Sequence, residues 1–217
     1  MLLILGNKNY STWSLRGWLM LEKSGVNYDE KVISLVGSGF YREVQEYTPA
    51  LKVPALVDGD IQVWDSLAIC EYINDAYMSG QAWPSDAKER AKARSLAAEM
   101  HSGFHAIRSE MPMNIRATRK VELSEQAKLE IARIEQIWSE QSNEFKTKGG
   151  WLFGSWSIAD VMFAPVALRF KTYQIKIGAE AQIYADHVLS CPAIQKWIEE
   201  ALLEEEVVPQ GEAGLEV

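Results

Sequence analysis

An acidic residue and a hydroxyl residue stand side by side at Asp65-Ser66, where the pattern predicts the start of an amphipathic helix over 66–73. A helix N-terminus offers free N–H groups and the positive end of the helix dipole, and both suit a carboxylate. The Ser66 hydroxyl can donate to that carboxylate, and Asp65 can accept from an ammonium. The pair therefore predicts a site for an amino-acid head group, with plain helix capping as the simpler alternative.

A second feature precedes this pair at Val53-Pro54, before the predicted strand 55–57. Proline cannot donate to a sheet, so it belongs at the first residue of a strand, often as a cis peptide in a tight bend. A cis bond would turn the backbone N–H and C=O of Val53 outward, toward a peptide-like ligand. Lys52 can reach an anion from the same place. The alternatives are a plain strand-start proline and a solvated loop lysine.

Composition limits the function. The chain has 217 residues, of which 47% are hydrophobic, and a net charge of −8. A large core is expected, and the negative charge argues against nucleic acid as a partner. Cys70 and Cys191 are far apart, which fits a reducing compartment and argues against a disulfide framework or a metal site. The N-terminus predicts a strand rather than a signal peptide, and no apolar run is long enough to span a membrane. We expect a soluble, cytoplasmic protein.

The elements that must position these residues follow from the hydrophobic pattern. We predict strands at 2–5, 28–35, 55–57 and 61–64, a short helix at 40–47, and a longer helix beginning near Leu15. Asp58-Gly59 is the predicted turn between the last two strands. The order β-α-β-α-β-β-α places the first two strands in parallel through a right-handed crossover.

The second part of the chain is predicted to be helical. Residues 80–86 interrupt the pattern, so we divide the chain into a domain at 1–79, a linker at 80–86 and an all-helical domain at 87–217. One helical stripe comprises Leu96, Met100, Phe104, Ile107 and Met111. A last helix is predicted from Pro192 to Leu203, followed by an acidic tail that we expect to be mobile.

Two motifs together resemble a known family. The run 52–73 (V-P-A-L, a D-G hairpin, then D-S-L-A-I-x-E-Y-I) closely resembles the glutathione-binding half of the glutathione S-transferase N-terminal domain. The capping box S-I-A-D at 157–160 resembles the folding motif of that family's C-terminal domain. The resemblance covers about residues 1–203. It implies an α/β thioredoxin-like N-terminal domain followed by an all-α C-terminal domain.

The resemblance also implies roles for the residues of the first motif. Val53, held by the cis bond to Pro54, would pair with the cysteinyl backbone of glutathione. Asp65 and Ser66 would hold the γ-glutamyl end. Lys52 would reach the glycyl carboxylate. Glutathione would then be a co-substrate, with no metal required.

The thiol of glutathione must be activated by a group in the loop after the first strand. Lowering a thiol pKa by two units requires about 3 kcal/mol, which a hydroxyl hydrogen bond and a helix N-terminus can supply. The sequence S-T-W-S-L-R-G from Ser11 resembles the S-P-F-S-x-R-V of bacterial Ser-type, theta- or zeta-like transferases, with Thr12 in place of proline. This favours Ser11, with Tyr10 as the alternative. Ser14 is expected to cap the helix, and Arg16 to pair with a structural carboxylate, with the ligand as the alternative partner.

Candidates for a second-substrate site are Trp13, near the same loop, and three residues of the helical part. His101, Phe104 and Arg108 lie on or near a largely apolar helical stretch that Gly103 interrupts. They can line an apolar pocket across the domain cleft. The alternative is that they pack or satisfy hydrogen bonds between helices.

The leading functional hypothesis is a glutathione S-transferase that attacks a small electrophile, as in detoxification. One alternative is a glutathione-dependent isomerase of the maleylacetoacetate type, and another is a non-catalytic glutathione- or ligand-binding module. The family resemblance also implies a homodimer. Neither nucleic acid nor a membrane is an expected partner.

Overall fold

The computed structural model describes residues 1–217 and begins with a small mixed sheet. Its elements are β1 (Leu2–Leu5), α1 (Thr12–Ser24), β2 (Asp29–Val32), α2 (Phe40–Val44), β3 (Ala55–Asp58), β4 (Ile61–Trp64) and α3 (Ser66–Tyr77). The strand order is β2-β1-β3-β4, with β1 parallel to β2 and antiparallel to β3. The predicted thioredoxin-like arrangement of the N-terminal part is confirmed.

Strand β1 lies inside this sheet, and Leu3, Ile4 and Leu5 are fully buried. A continuous apolar run is what burial on both faces requires. The hairpin differs by one residue from the prediction. Because Asp58 pairs with Ile61 in the β3–β4 ladder, the turn consists of Gly59 and residue 60, and only Gly59 takes a positive φ, of 59°.

The second part of the chain is helical apart from a short ribbon. Its elements are α4 (Ala87–Ser102), α5 (His105–Glu110), β5 (Arg119–Lys120), α6 (Glu125–Phe145), α7 (Ile158–Thr172), α8 (Ala179–Ser190), α9 (Pro192–Leu202), a 3-10 turn (Pro209–Gly211) and β6 (Leu215–Glu216). Trp138 of α6 is fully buried, with its ring 5.4 Å from Phe170 and 5.1 Å from Tyr184. The predicted helical C-terminal part is confirmed, with the β5–β6 ribbon as an addition.

The stripe predicted as one helix over 96–111 is two helices. Helix α4 ends at Ser102, and Phe104 takes a left-handed conformation with φ 60° before α5 starts. Gly103 lies against the chain, because a Cβ there would stand 2.9 Å from the carbonyl oxygen of Glu99. Apolar residues recur with the same spacing on both sides of this break because α4 and α5 pack on the same core.

The prediction of a mobile C-terminal tail is wrong. The Glu204 carboxylate accepts hydrogen bonds from the backbone N–H of Lys8 at 2.7 Å and of Asn9 at 2.9 Å. Gly211 is buried against the ring of Tyr10, and β6 pairs with β5. The acidic composition suggested solvation, but these carboxylates instead satisfy donors in the loop that leads into α1.

No helix combines the length and apolar character that crossing a membrane requires. Cys70 and Cys191 are both buried and unpaired. The structure contains no group of three or more His, Cys, Asp or Glu side chains arranged to hold a metal ion.

The predicted capping box at the start of α7 is present, and Asp160 is its centre. The buried carboxylate accepts from the N–H of Ser157 at 2.8 Å, the N–H of Leu152 at 3.0 Å and the hydroxyl of Tyr184 at 3.1 Å. Burial raises the pKa of Asp160 to about 6, and these hydrogen bonds oppose the shift. One side chain thus joins a loop, a helix start and α8.

We expect Asp160→Ala to lower the free energy of unfolding by about 3 kcal/mol or more, because several buried donors lose their acceptor. Urea unfolding followed by circular dichroism measures the change. Asp186→Ala is the matched control: Asp186 is exposed on α8 and pairs only with Gln182. Equal stability of the two variants would contradict the assigned role.

We expect Gly211→Ala to destabilise the protein by about 1–3 kcal/mol, because the new methyl group would overlap the Tyr10 ring. A Cβ at Gly211 would collide with two ring carbons of Tyr10. Gly39→Ala is the control, since its Cβ would meet only the end of Glu43 at 3.8 Å. Thermal unfolding compares the two. An unchanged midpoint for Gly211→Ala would mean that the tail does not pack on Tyr10.

Candidate functional site

A cleft of about 390 Å³ opens where the loop before β3, the start of α3 and the start of α1 meet. Both predicted motif features lie in its wall. The lining residues are Trp13, Ala50, Lys52, Val53, Pro54, Trp64, Asp65 and Ser66. The structure therefore brings together the residues on which the predicted binding site depends.

The peptide bond between Val53 and Pro54 is cis. Helix α1 approaches Pro54 closely at Gly17, where a Cβ would stand 3.3 Å from the proline ring. The absence of a side chain at Gly17 lets the helix pack against this corner of the sheet. The N-terminus of α1 and the Val53 backbone are thereby held at one cleft.

Asp65 is the N-cap of α3 and has an unusual backbone conformation, with φ 67° and ψ 141°. Such a conformation in a non-glycine residue costs about 1–3 kcal/mol and persists only where the surroundings fix it. One carboxylate oxygen accepts from the N–H of Leu67 at 2.8 Å. The other lies 3.2 Å from Nε2 of His101. The side chain is about half exposed and faces the cleft.

Ser66 is 1% exposed, and its hydroxyl has no hydrogen-bond partner in the protein. It is the first residue of α3, whose leading N–H groups lack partners within the helix. An unsatisfied buried hydroxyl costs about 1–3 kcal/mol. A ligand oxygen in the cleft would satisfy this hydroxyl and the helix N-terminus together.

The hydroxyl that caps α1 is not the one that the sequence predicted. Ser11, not Ser14, is the N-cap of α1, and its Oγ accepts from the N–H of Ser14 at 3.3 Å. The two hydroxyls are 2.7 Å apart, with Ser11 donating to Ser14. Ser14 Oγ also accepts from the N–H of Gly6 at 2.9 Å. The prediction that Ser14 caps the helix is wrong because its side chain turns back to the loop.

Tyr10 is turned away from the cleft. Its hydroxyl donates to the Glu212 carboxylate and accepts from the Arg116 guanidinium at 3.0 Å. Burial and the hydrogen bond to Glu212 raise the pKa of Tyr10. Because its hydroxyl is engaged by the tail, Tyr10 is unsuited to activate a thiol in the cleft.

Trp13 stands between two guanidinium groups at the side of the cleft. Arg16 lies 4.5 Å and Arg108 4.7 Å from the Trp13 ring. The His101 ring meets Trp13 edge-on at 5.4 Å. Three of the four candidates for the second-substrate site are therefore in contact.

Arg16 does not pair with a carboxylate, contrary to expectation. It is 1% exposed and donates twice to the carbonyl oxygen of Met162 in α7, at 3.2 and 3.0 Å. Burial lowers the pKa of Arg16 well below its usual value, and the nearby Arg108 and Arg169 add to the effect. This arginine joins α1 to the helical domain.

Phe104, the fourth candidate, is not in the cleft. Its ring is buried in the main core and borders a shallow surface formed with Glu99, Leu129 and Glu130. The left-handed turn before α5 directs it there. Sequence reasoning also missed Trp64 and Ala50 in the cleft wall. Trp64 directly precedes Asp65, so its adjacency to the motif was the available signal.

Comparisons with known proteins agree with this geometry. Residues 10–76 match the model of the family described as glutathione S-transferase, N-terminal domain. The chain is 32% identical over 103 residues to a probable maleylacetoacetate isomerase of Caenorhabditis elegans, covering 45% of this chain and 48% of that protein. It is 35% identical over 102 residues to glutathione S-transferase Z2 of Arabidopsis thaliana, covering 45% and 46%. The matches thus span about half the length of these relatives.

Solved structures match nearly the whole chain. A Burkholderia glutathione transferase homolog with bound glutathione superposes with a TM-score of 0.71 at 22% identity, covering 92% of this chain and 97% of that one. A bacterial zeta-class maleyl pyruvate isomerase gives a TM-score of 0.73 at 19% identity, covering 95% and 100%. At these identities the likeness establishes the fold alone.

The family match covers residues 10–76, which include the cis-proline and the Asp65-Ser66 pair. For the helical domain the likeness is one of fold. Residues 10–76 thus match the glutathione S-transferase N-terminal domain, and the chain as a whole has the fold of the solved glutathione transferases.

Proposed function

We propose that the protein is a glutathione S-transferase that binds glutathione in the cleft and activates its thiol for attack on a small electrophile. The observation that carries the proposal is the buried, unpartnered hydroxyl of Ser66 at the N-terminus of α3, beside the Asp65 carboxylate. A buried donor without a partner is costly, so a ligand carboxylate at this point compensates a cost already present.

The rest of the cleft suits the remainder of the tripeptide. The γ-glutamyl carboxylate would bind Ser66 and the helix N-terminus, while Asp65 would receive the ammonium. The outward backbone of Val53 would pair with the cysteinyl unit, and Lys52 would meet the glycyl carboxylate. The Burkholderia homolog of the same fold was solved with glutathione bound, which supports this assignment.

Thiol activation is assigned to Ser11 and the N-terminus of α1. In the pair formed by Ser11 and Ser14, either hydroxyl can donate, because each carries one proton and two lone pairs. When Ser14 donates, the proton of Ser11 is free to point at the sulfur. Lowering the thiol pKa by two units needs about 3 kcal/mol, within reach of one charge-assisted hydrogen bond and the helix dipole.

The electrophile would bind beside Trp13, with His101 and Arg108 in the wall. One observation favours a second candidate, a glutathione-dependent isomerase of an anionic substrate: the partly exposed Arg108 guanidinium lies 4.7 Å from the Trp13 ring. Several of the relatives are named maleylacetoacetate isomerases. Turnover of an aryl halide against cis–trans isomerisation of a maleyl dicarboxylate, each with glutathione, distinguishes the two.

The proposal includes a cytoplasmic homodimer with domains at 1–79 and 87–217, joined by the linker 80–86. Helix α3 ends at Tyr77 and α4 begins at Ala87, which supports these boundaries. Ile61 and Trp64 are large, apolar and exposed on the N-terminal domain. Burying these side chains against a second subunit would favour dimerisation.

We expect Ser66→Ala to weaken the binding of S-methylglutathione about tenfold or more, because one hydrogen bond to a charged group contributes about 1.5–3 kcal/mol. The ligand-free variant should be at least as stable as the wild type, since an unsatisfied buried hydroxyl is removed. Isothermal titration calorimetry and urea unfolding measure the two effects.

The matched control is Ser95→Ala, an exposed serine of α4 that donates to the Ala91 carbonyl. It should bind the ligand as the wild type does. Wild-type affinity in Ser66→Ala would contradict the proposed site.

We expect the thiol pKa of bound glutathione to lie well below its free value, near 8.5, and to return toward that value in Ser11→Ala. The loss of the sulfur's hydrogen-bond donor is the reason. Ultraviolet absorbance of the thiolate, titrated in the complex, gives the pKa.

Ser124→Ala is the control, because Ser124 caps α6 through the N–H of Ala127 at 3.1 Å, away from the cleft. Both variants lose a helix cap of about 1 kcal/mol, but only Ser11→Ala should change the thiol pKa. An unshifted thiol pKa in the wild-type complex would indicate a binding module without catalysis.

A further inference from the structure

One contact at the cleft joins the two domains through ionisable groups. His101 lies in the last turn of α4, and its Nε2 stands 3.2 Å from Oδ2 of Asp65 at the start of α3. The His101 side chain is one quarter exposed, whereas that of Asp65 is about half exposed. The imidazole therefore reaches the carboxylate from the protein side, and the cleft side of Asp65 stays open.

The surroundings of His101 fix its position. Its ring packs edge-on against Trp13, and its Nδ1 is buried without a partner. The charged groups that act on it from neighbouring elements are Asp65 of α3, Arg16 of α1 and Arg108 of α5. Two of these three are cations, and both oppose a positive charge on the imidazole.

These surroundings favour the neutral form of His101. Burial lowers the pKa of His101, Arg16 and Arg108 lower it further, and Asp65 opposes them. With Nδ1 bare and buried, the neutral ring that carries its proton on Nε2 directs that proton at Asp65. A carboxylate held from one side keeps its remaining lone pairs for a ligand.

We propose that His101 is a positioning residue for the ammonium of bound glutathione: the neutral imidazole orients the Asp65 carboxylate toward the cleft, and the imidazolium competes with the ammonium for it. The inference rests on the proposed function, because it concerns the same γ-glutamyl site. It assigns to the helical domain a part in recognising an end of the ligand that the N-terminal domain otherwise holds alone.

The physical reason is that one carboxylate would have to serve two cations. When His101 is protonated, the imidazolium neutralises Asp65 and repels the incoming ammonium. Binding of the ammonium must then expel a proton from His101. By linkage, affinity falls as the pH falls through the His101 pKa.

The test is calorimetric binding of S-methylglutathione, whose blocked sulfur removes thiol ionisation from the pH profile. We expect wild-type affinity to fall from about pH 8 to about pH 6, by less than the roughly fourfold that an unshifted histidine would give, as His101 begins to take up its proton. His101→Asn should show a flat profile. His105→Asn is the control, an exposed histidine on the adjacent helix α5, and should keep the wild-type profile.

A second probe is the same ligand with its α-amino group replaced by hydrogen. Its affinity should not fall toward pH 6, since no ammonium competes with His101. A wild-type profile that is flat for S-methylglutathione, or one that His101→Asn leaves unchanged, overturns the inference.

If His101→Asn does not fold, the wild type alone supplies the reciprocal measurement. The His101 ring titration, followed by nuclear magnetic resonance, should move to lower pH when S-methylglutathione is added. An unmoved titration overturns the inference while the proposed function stands. Absence of S-methylglutathione binding by the wild type at about pH 8 overturns the proposed function and the inference with it.

Discussion

The structure depends on the burial of α1 between the sheet and the helical domain. Nearly every residue from Thr12 to Leu21 is buried, although the sequence carries an arginine and two hydroxyls in that stretch. These polar groups therefore need partners outside the helix. Arg16 donates to the Met162 carbonyl of α7, and the Ser14 hydroxyl accepts from the N–H of Gly6. These bonds fix the position of the helix, whose first turn contributes Trp13 to the cleft wall.

The loop before α1 is held in place by hydrogen bonds from the helical domain. The side chain of Asn9 donates to Asn114 at 2.9 Å and accepts from the N–H of Arg116 at 2.9 Å. Trp197 of α9 donates to the carbonyl of Lys8 at 2.9 Å. The helical domain thus supplies partners for polar groups of this loop that the loop itself does not satisfy.

The structure treats polar groups in two opposite ways. Around Asp160 every carboxylate oxygen is satisfied, and the side chain serves stability alone. At Ser66 a buried hydroxyl is left without a partner, and at Asp65 the backbone is strained. Unsatisfied groups and strain of this kind reduce the stability of the ligand-free protein and are retained where a ligand removes the cost.

The sequence by itself determined what depends on neighbours in the chain: the four strands, the hairpin, the capping box of Ser157 and Asp160, and the pairing of Val53-Pro54 with Asp65-Ser66 in one motif. Period, turn residues and caps are local signals, so they can be read without the fold. The tertiary structure decided which group faces which. The Tyr10 hydroxyl bonds to Glu212 of the C-terminal tail, Phe104 packs in the main core, and His101 contacts Asp65. Each of these contacts joins elements that are far apart in sequence and meet only when the domains pack.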